Sequence, residues 1–145
     1  MTDNDAERAI ERIAAWASGA PDVAAAWLFG SRARGDGGPG SDIDVAVLPR
    51  PGAGVDPLRR RLRWMVEAAD AAGLGEEELD LVDLSEAPVL LAHAALRDGR
   101  LLASPDPVAR TAFVESTIHR SQEALHLHRI AEEVRRRRFG RAEAP

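Results

Sequence analysis

Two aspartates and a glycine-serine pair carry the chemistry most directly legible in this chain. Gly30-Ser31 closes an apolar run over 23–29, and after ten intervening residues Asp42 and Asp44 flank the start of a second run that ends at Pro49. Both runs are short, apolar and bounded by glycine or proline, so they read as buried strands. Side chains at i and i+2 of a strand share a face, which presents the carboxylates of Asp42 and Asp44 together at one end of a sheet. Like charges that close repel unless a cation sits between them. An all-oxygen donor set suits Mg2+ or Mn2+, which would bridge the aspartates to a triphosphate. A glycine at the preceding strand end lets backbone approach an anion closely, and the Ser31 hydroxyl with neighbouring N–H groups can hold phosphate oxygens. Arg32 and Arg34 follow at once and offer charge-assisted contacts to the same oxygens.

The elements that must position these groups read as alternating helices and strands. Apolar residues Ala6, Ala9, Ile10, Ile13, Ala14 and Ala17 recur at helical spacing until Ser18-Gly19-Ala20-Pro21 stops them. A short helix begins within 32–34, and the glycine-rich stretch 35–40 reads as a mobile lid or a surface turn. Asp56 as N-cap and Pro57 at the first helical position open a helix closed by Gly73. Its inner face is expected to be Leu58, Leu62, Met65, Val66, Ala69 and Ala72, with Arg59, Arg60 and Arg63 outside. Glu76-Glu77-Glu78 reads as a solvated turn before a strand over 79–84. Ser85 is expected to cap a helix to about Arg97, followed by a short edge strand over 101–103. The longest helical segment, about 106–138, is two-faced: Val114, Ile118, Ser121 and Leu125 lie on one side, Leu127, Ile130 and Val134 on roughly the other. One core cannot bury both, so either the helix breaks near His126 or its distal part packs on another chain. The expected division is a core over 1–104, this segment over 105–138 and a disordered tail over 139–145. The fold class is α/β, a small mixed sheet flanked by helices.

The Gly-Ser, ten residues, Asp-x-Asp arrangement resembles the signature of the DNA polymerase beta superfamily of nucleotidyltransferases, in particular its minimal MNT-type branch. The likeness runs from about Ile10 to Leu102. It implies a polymerase beta palm-like fold and a third carboxylate on an adjacent strand, a position that Asp80 takes in Glu78-Leu79-Asp80-Leu81-Val82-Asp83-Leu84. Asp42, Asp44 and Asp80 would then be the catalytic and metal-holding residues for two Mg2+ ions, with Mn2+ as a substitute. Gly30, Ser31 and Arg32 would bind the nucleotide. The reaction implied is attack of a hydroxyl on the alpha-phosphorus of ATP with loss of pyrophosphate, Asp80 accepting the proton. Larger members carry a second domain for the acceptor. The MNT-type likeness implies instead a partner, a HEPN-type toxin, with AMP transferred to one of its tyrosines and this protein acting as a type VII-like antitoxin. Two other readings stand beside it: a small-molecule, aminoglycoside-type adenylyltransferase completed by a dimer mate, and an antitoxin that neutralises by binding alone. Asp83 has the opposite strand parity from Asp80 and reads as a solvated or capping residue.

Composition narrows the chemistry further. The 145 residues suit one domain. Cysteine and lysine are both absent, which removes thiol nucleophiles, thiolate metal sites and Schiff-base chemistry. Tyrosine is absent too, so a tyrosine acceptor must belong to another molecule. The net charge of −5 argues against direct DNA binding, although Arg135 to Arg138 form one dense basic run. No signal-peptide-like segment and no membrane-length apolar run occurs, so a cytoplasmic location is expected. His93, His119, His126 and His128 read as surface or packing residues, and Trp16, Trp27 and Trp64 as buried or partly buried ones.

Overall fold

The computed structural model describes residues 1–54 and 56–140. Five helices and four strands follow in the order α1 (Asp3–Gly19), β1 (Val23–Phe29), α2 (Gly30–Arg34), β2 (Ile43–Pro49), α3 (Pro57–Ala72), β3 (Leu79–Asp83), α4 (Val89–Asp98), β4 (Arg100–Ala103) and α5 (Pro107–Gly140). The strands form one mixed sheet in the order β3-β2-β1-β4. β1 runs antiparallel to both its neighbours, and β2 and β3 are parallel. The triple glutamate forms a single 3-10 turn that leads into β3.

Two apolar layers sandwich the sheet. On one face, Ala9, Ile10, Ile13 and Ala17 of α1 and Trp64, Ala68 and Ala69 of α3 pack on Val23, Val45, Val47 and Leu81. On the other, Ala92 and Ala95 of α4 and Phe113 and Val114 of α5 pack on Trp27, Ala46 and Leu48. Alternate strand residues feed opposite layers, as the strand period of two requires. Thr2 caps α1 through a reciprocal pair with Asp5, and the Asp56 carboxylate accepts from Leu58 N–H at 3.0 Å, as the Asp-Pro pair implied.

The buried face of α3 differs from the sequence expectation by about a quarter turn. Leu58, Leu62 and Val66 are 60%, 53% and 62% exposed, whereas Arg60 and Trp64 are buried. Asp83 is the cause. It is buried, not solvated, and its Oδ2 accepts from Arg60 Nε at 3.0 Å and Nη2 at 2.6 Å. Its Oδ1 accepts from the Ser85 amide at 2.9 Å and the Ser85 hydroxyl at 2.7 Å. The guanidinium also lies 5.3 Å from the Trp64 ring centroid. A buried carboxylate demands a cation and hydrogen bonds. Meeting that demand turns α3 so that Arg60 points inward, and Ser85 serves Asp83 instead of capping α4, whose N-cap is Pro88.

α5 is continuous, so the break near His126 does not occur. Asp106 caps it, with Oδ1 accepting from Ala109 N–H at 3.1 Å. Thr117 and Ser121 are its only buried residues among those described. From Gln122 to Gly140 every residue but Ala124 is exposed. The helix includes Phe139 and Gly140 of the stretch expected as tail, and 141–145 lie outside the described residues. No described helix is long and apolar enough to cross a membrane.

Candidate active site

The parallel ladder sets Asp44 directly beside Asp80. Neighbouring strands lie ~4.8 Å apart, so two carboxylates on the same face of adjacent strands stand side by side. The residues that alternate with them, Ile43, Val45, Leu79 and Leu81, enter the α1/α3 core, which places both aspartates on the opposite face. Asp42 sits one residue before β2 and is exposed. Strand geometry therefore does not fix it; the glycine-rich loop before it must.

On the other side of β2, Asp44 pairs in the antiparallel ladder with Phe29, the last residue of β1. The next residue, Gly30, has φ +70°, and a Cβ there would overlap Asp44 Oδ2 and lie 3.0 Å from its Cγ. Glycine is thus required twice, by backbone conformation and by the carboxylate against it. α2 starts at Gly30, two residues earlier than expected, so the unpaired N–H groups of its first turn and the Ser31 hydroxyl follow directly from the residue that touches Asp44. Gly30, Ser31, Asp42, Asp44 and Asp80 are brought to one end of the sheet.

Electrostatics agree with that clustering. The Asp44 carboxyl is held above its ordinary range, first by partial burial, then by the charges of Asp80 and Asp42, while Arg34 opposes the shift. Arg34 is exposed and 3.5 Å from Asp36. Arg32 is placed differently from the sequence expectation. Its guanidinium turns onto the glycine-rich loop, with Nε and Nη2 donating to the Ser41 carbonyl at 3.1 and 2.9 Å. Nothing local in the sequence marks that role, because its acceptors are backbone carbonyls.

Three carboxylates presented by a strand pair and the loop beside it are the hard oxygen donors that a divalent cation prefers, and the Gly30 cradle keeps Asp44 free of steric cover. The donor chemistry fits Mg2+. Among the described residues, no three histidine, aspartate or glutamate side chains converge closely enough to enclose an ion. On α5, His119 and His128 form exposed i, i+4 contacts with Glu123 at 3.4 Å and Glu132 at 3.8 Å.

Comparison with known proteins bears on the family and the fold. Residues 11–108 match the family model described as polymerase beta, nucleotidyltransferase. The protein adenylyltransferase MntA of Shewanella oneidensis is 34% identical over 82 residues, a stretch that covers 57% of this chain and 55% of MntA. A toxin-antitoxin crystal structure with AMP-PNP superposes with a TM-score of 0.62 at 24% identity, covering 92% of this chain and 98% of its counterpart. A structure of the tri-AMPylated Shewanella oneidensis HEPN toxin with MNT antitoxin gives 0.59 at 24% identity, with the same coverages of 92% and 98%. At that identity the two structures establish a shared fold. With its family model matched over more than half its length, the chain belongs to the polymerase beta nucleotidyltransferases.

Proposed function

We propose that this protein transfers AMP from ATP to a hydroxyl of a partner protein, a tyrosine of a HEPN-type toxin, and so acts as its antitoxin. The observation that carries the reading is the pairing of Asp44 with Asp80 across β2 and β3, beside the Gly30-Ser31 turn. MntA is named a protein adenylyltransferase, and the structural neighbours include a toxin-antitoxin complex with AMP-PNP and an AMPylated HEPN toxin with its antitoxin. These support ATP as donor and a protein as acceptor, ahead of an aminoglycoside or a binding-only role.

In the reaction, the acceptor oxygen forms a bond to the alpha-phosphorus of ATP and the bond to pyrophosphate breaks. Asp80, on the open edge strand, takes the hydroxyl proton. Gly30 and Ser31 hold the phosphate oxygens through backbone N–H groups and the serine hydroxyl. Asp42, Asp44 and Asp80 would hold Mg2+, or Mn2+ in its place; two such ions when bound neutralise the leaving pyrophosphate and lower the pKa of the attacking hydroxyl. The chain contains no tyrosine, so transfer to tyrosine occurs in trans. Incubation with alpha-labelled ATP, Mg2+ and the toxin tests this: label is expected on the toxin, and label confined to this chain, or to an added aminoglycoside, contradicts it.

A further inference from the structure

Asp42 is the member of the carboxylate group that the sheet does not hold. It precedes β2, and the loop leading to it, residues 35–41, contains four glycines and a proline. Such a segment has wide conformational freedom, so something outside the ladder must define where Asp42 stands.

Arg32 supplies that constraint. Its Nε and Nη2 both donate to the carbonyl of Ser41, the residue immediately before Asp42, at 3.1 and 2.9 Å. Nη2 also reaches the Gly38 carbonyl at 3.2 Å. Gly38 and Ser41 close on each other, with Gly38 N–H donating to Ser41 Oγ at 2.9 Å and Ser41 N–H donating to Gly38 O at 3.0 Å. The loop packs on the arginine stem as well: a Cβ at Gly37 would lie 3.0 Å from Arg32 Cγ and 3.3 Å from Ser31 Oγ. The remaining Nη1 faces Asp3 of α1 at 4.0 Å, and the side chain is only 7% exposed. A guanidinium committed in this way must give up its hydrogen bonds to the loop before it can turn to a phosphate.

We infer that Arg32 is a positioning residue, which fixes the glycine-rich loop and thereby delivers Asp42 to the carboxylate site, and is not a ligand of the nucleotide phosphates. The inference rests on the nucleotidyltransferase reading above for the role of Asp42. The planar fork is essential to it, because one carbonyl is bracketed by two parallel donors while a second is reached from the same nitrogen; a lysine ammonium cannot reproduce this.

The test uses the full chain carrying Arg32→Met or Arg32→Lys. Amide hydrogen exchange over 36–42, affinity for AMP-PNP by calorimetry in Mg2+, and steady-state transfer to the partner are measured. Both variants are expected to exchange at least ~10-fold faster at Gly38 and Ser41, and to lose ~10-fold or more in kcat with a raised Mg2+ requirement. AMP-PNP affinity should stay within about 3-fold of the parent, less than half a decade of binding constant. A phosphate ligand would behave in the opposite way, with unchanged loop exchange, AMP-PNP affinity lost in Arg32→Met and recovered in Arg32→Lys by charge alone; that result overturns the inference. Absence of AMP transfer by the parent protein would instead sink the proposed function, and loop exchange would still decide what Arg32 does.

Discussion

At the ends of β2 and β3, three side chains of one charge are gathered by backbone pairing and by a glycine turn, and Asp44 bears the cost. Its folded pKa is raised above the ordinary 3.8, so between those two values the folded chain binds more protons than the unfolded one, and stability falls as pH rises through that window. Replacing Asp44 with Asn should therefore raise thermal stability at neutral pH in the presence of EDTA, and the gain should vanish below the ordinary carboxylate range. Melting curves from pH 3 to 8 check this; a loss of stability at pH 7 would show that Asp44 is held by favourable contacts. Gly30, Ser31 and Asp44 were legible as neighbours because a glycine-serine pair and a strand aspartate at fixed spacing act through local backbone geometry, whereas Asp80 came from the family resemblance and Asp42 lies before β2. The role of Asp83 was not legible. Its parity on β3 was readable, but its partner Arg60 lies 23 positions away on another element, and no local pattern reports a buried ion pair of that span.

At the scale of elements, strand positions were recovered from apolar runs and the glycine or proline that ends them, and the start of α3 from its Asp-Pro pair; the Thr2 cap of α1 was not read. The rotation of α3 was not recovered. Leu58, Leu62 and Val66 form an apolar row at i, i+4 and i+8 that outweighs, by hydropathy alone, a face containing Arg60 and Trp64. Tertiary demand decides otherwise, since Arg60 answers Asp83 and the Trp64 indole donates to Asp22 at 3.1 Å. The two assignments make opposite predictions. Leu62→Gln should change unfolding free energy by no more than about 0.5 kcal/mol, as for an exposed site. Trp64→Ala should cost about 3–5 kcal/mol, as for a fully buried aromatic. Chemical denaturation of the two variants separates them, and a large loss in Leu62→Gln would restore the hydropathy-based face.

At the scale of the whole molecule, the site sits on the sheet while the distal half of α5 extends beyond it. The 19 residues of 122–140 span ~28 Å at helical rise. Leu127, Ile130, Val134 and Phe139 are 65%, 47%, 56% and 62% exposed along this arm, and Arg135 to Arg138 lie among them. Exposed apolar rows with a charged rim suit association that weakens with salt. Leu127→Asp with Ile130→Asp should weaken partner binding or self-association by several kcal/mol, about 2 for each aspartate desolvated, and leave nucleotide binding intact; sedimentation and calorimetry read both, and unchanged assembly would remove the arm from any interface. The proposed transfer of AMP by the carboxylates at the strand ends is measured most directly with alpha-labelled ATP, Mg2+ and the proposed HEPN-type partner, using the parent chain and a variant carrying Asp42→Asn with Asp44→Asn. Label should appear on the partner with the parent chain and be abolished in the variant, whose melting temperature is equal or higher; label undiminished in a folded double variant would contradict the assignment.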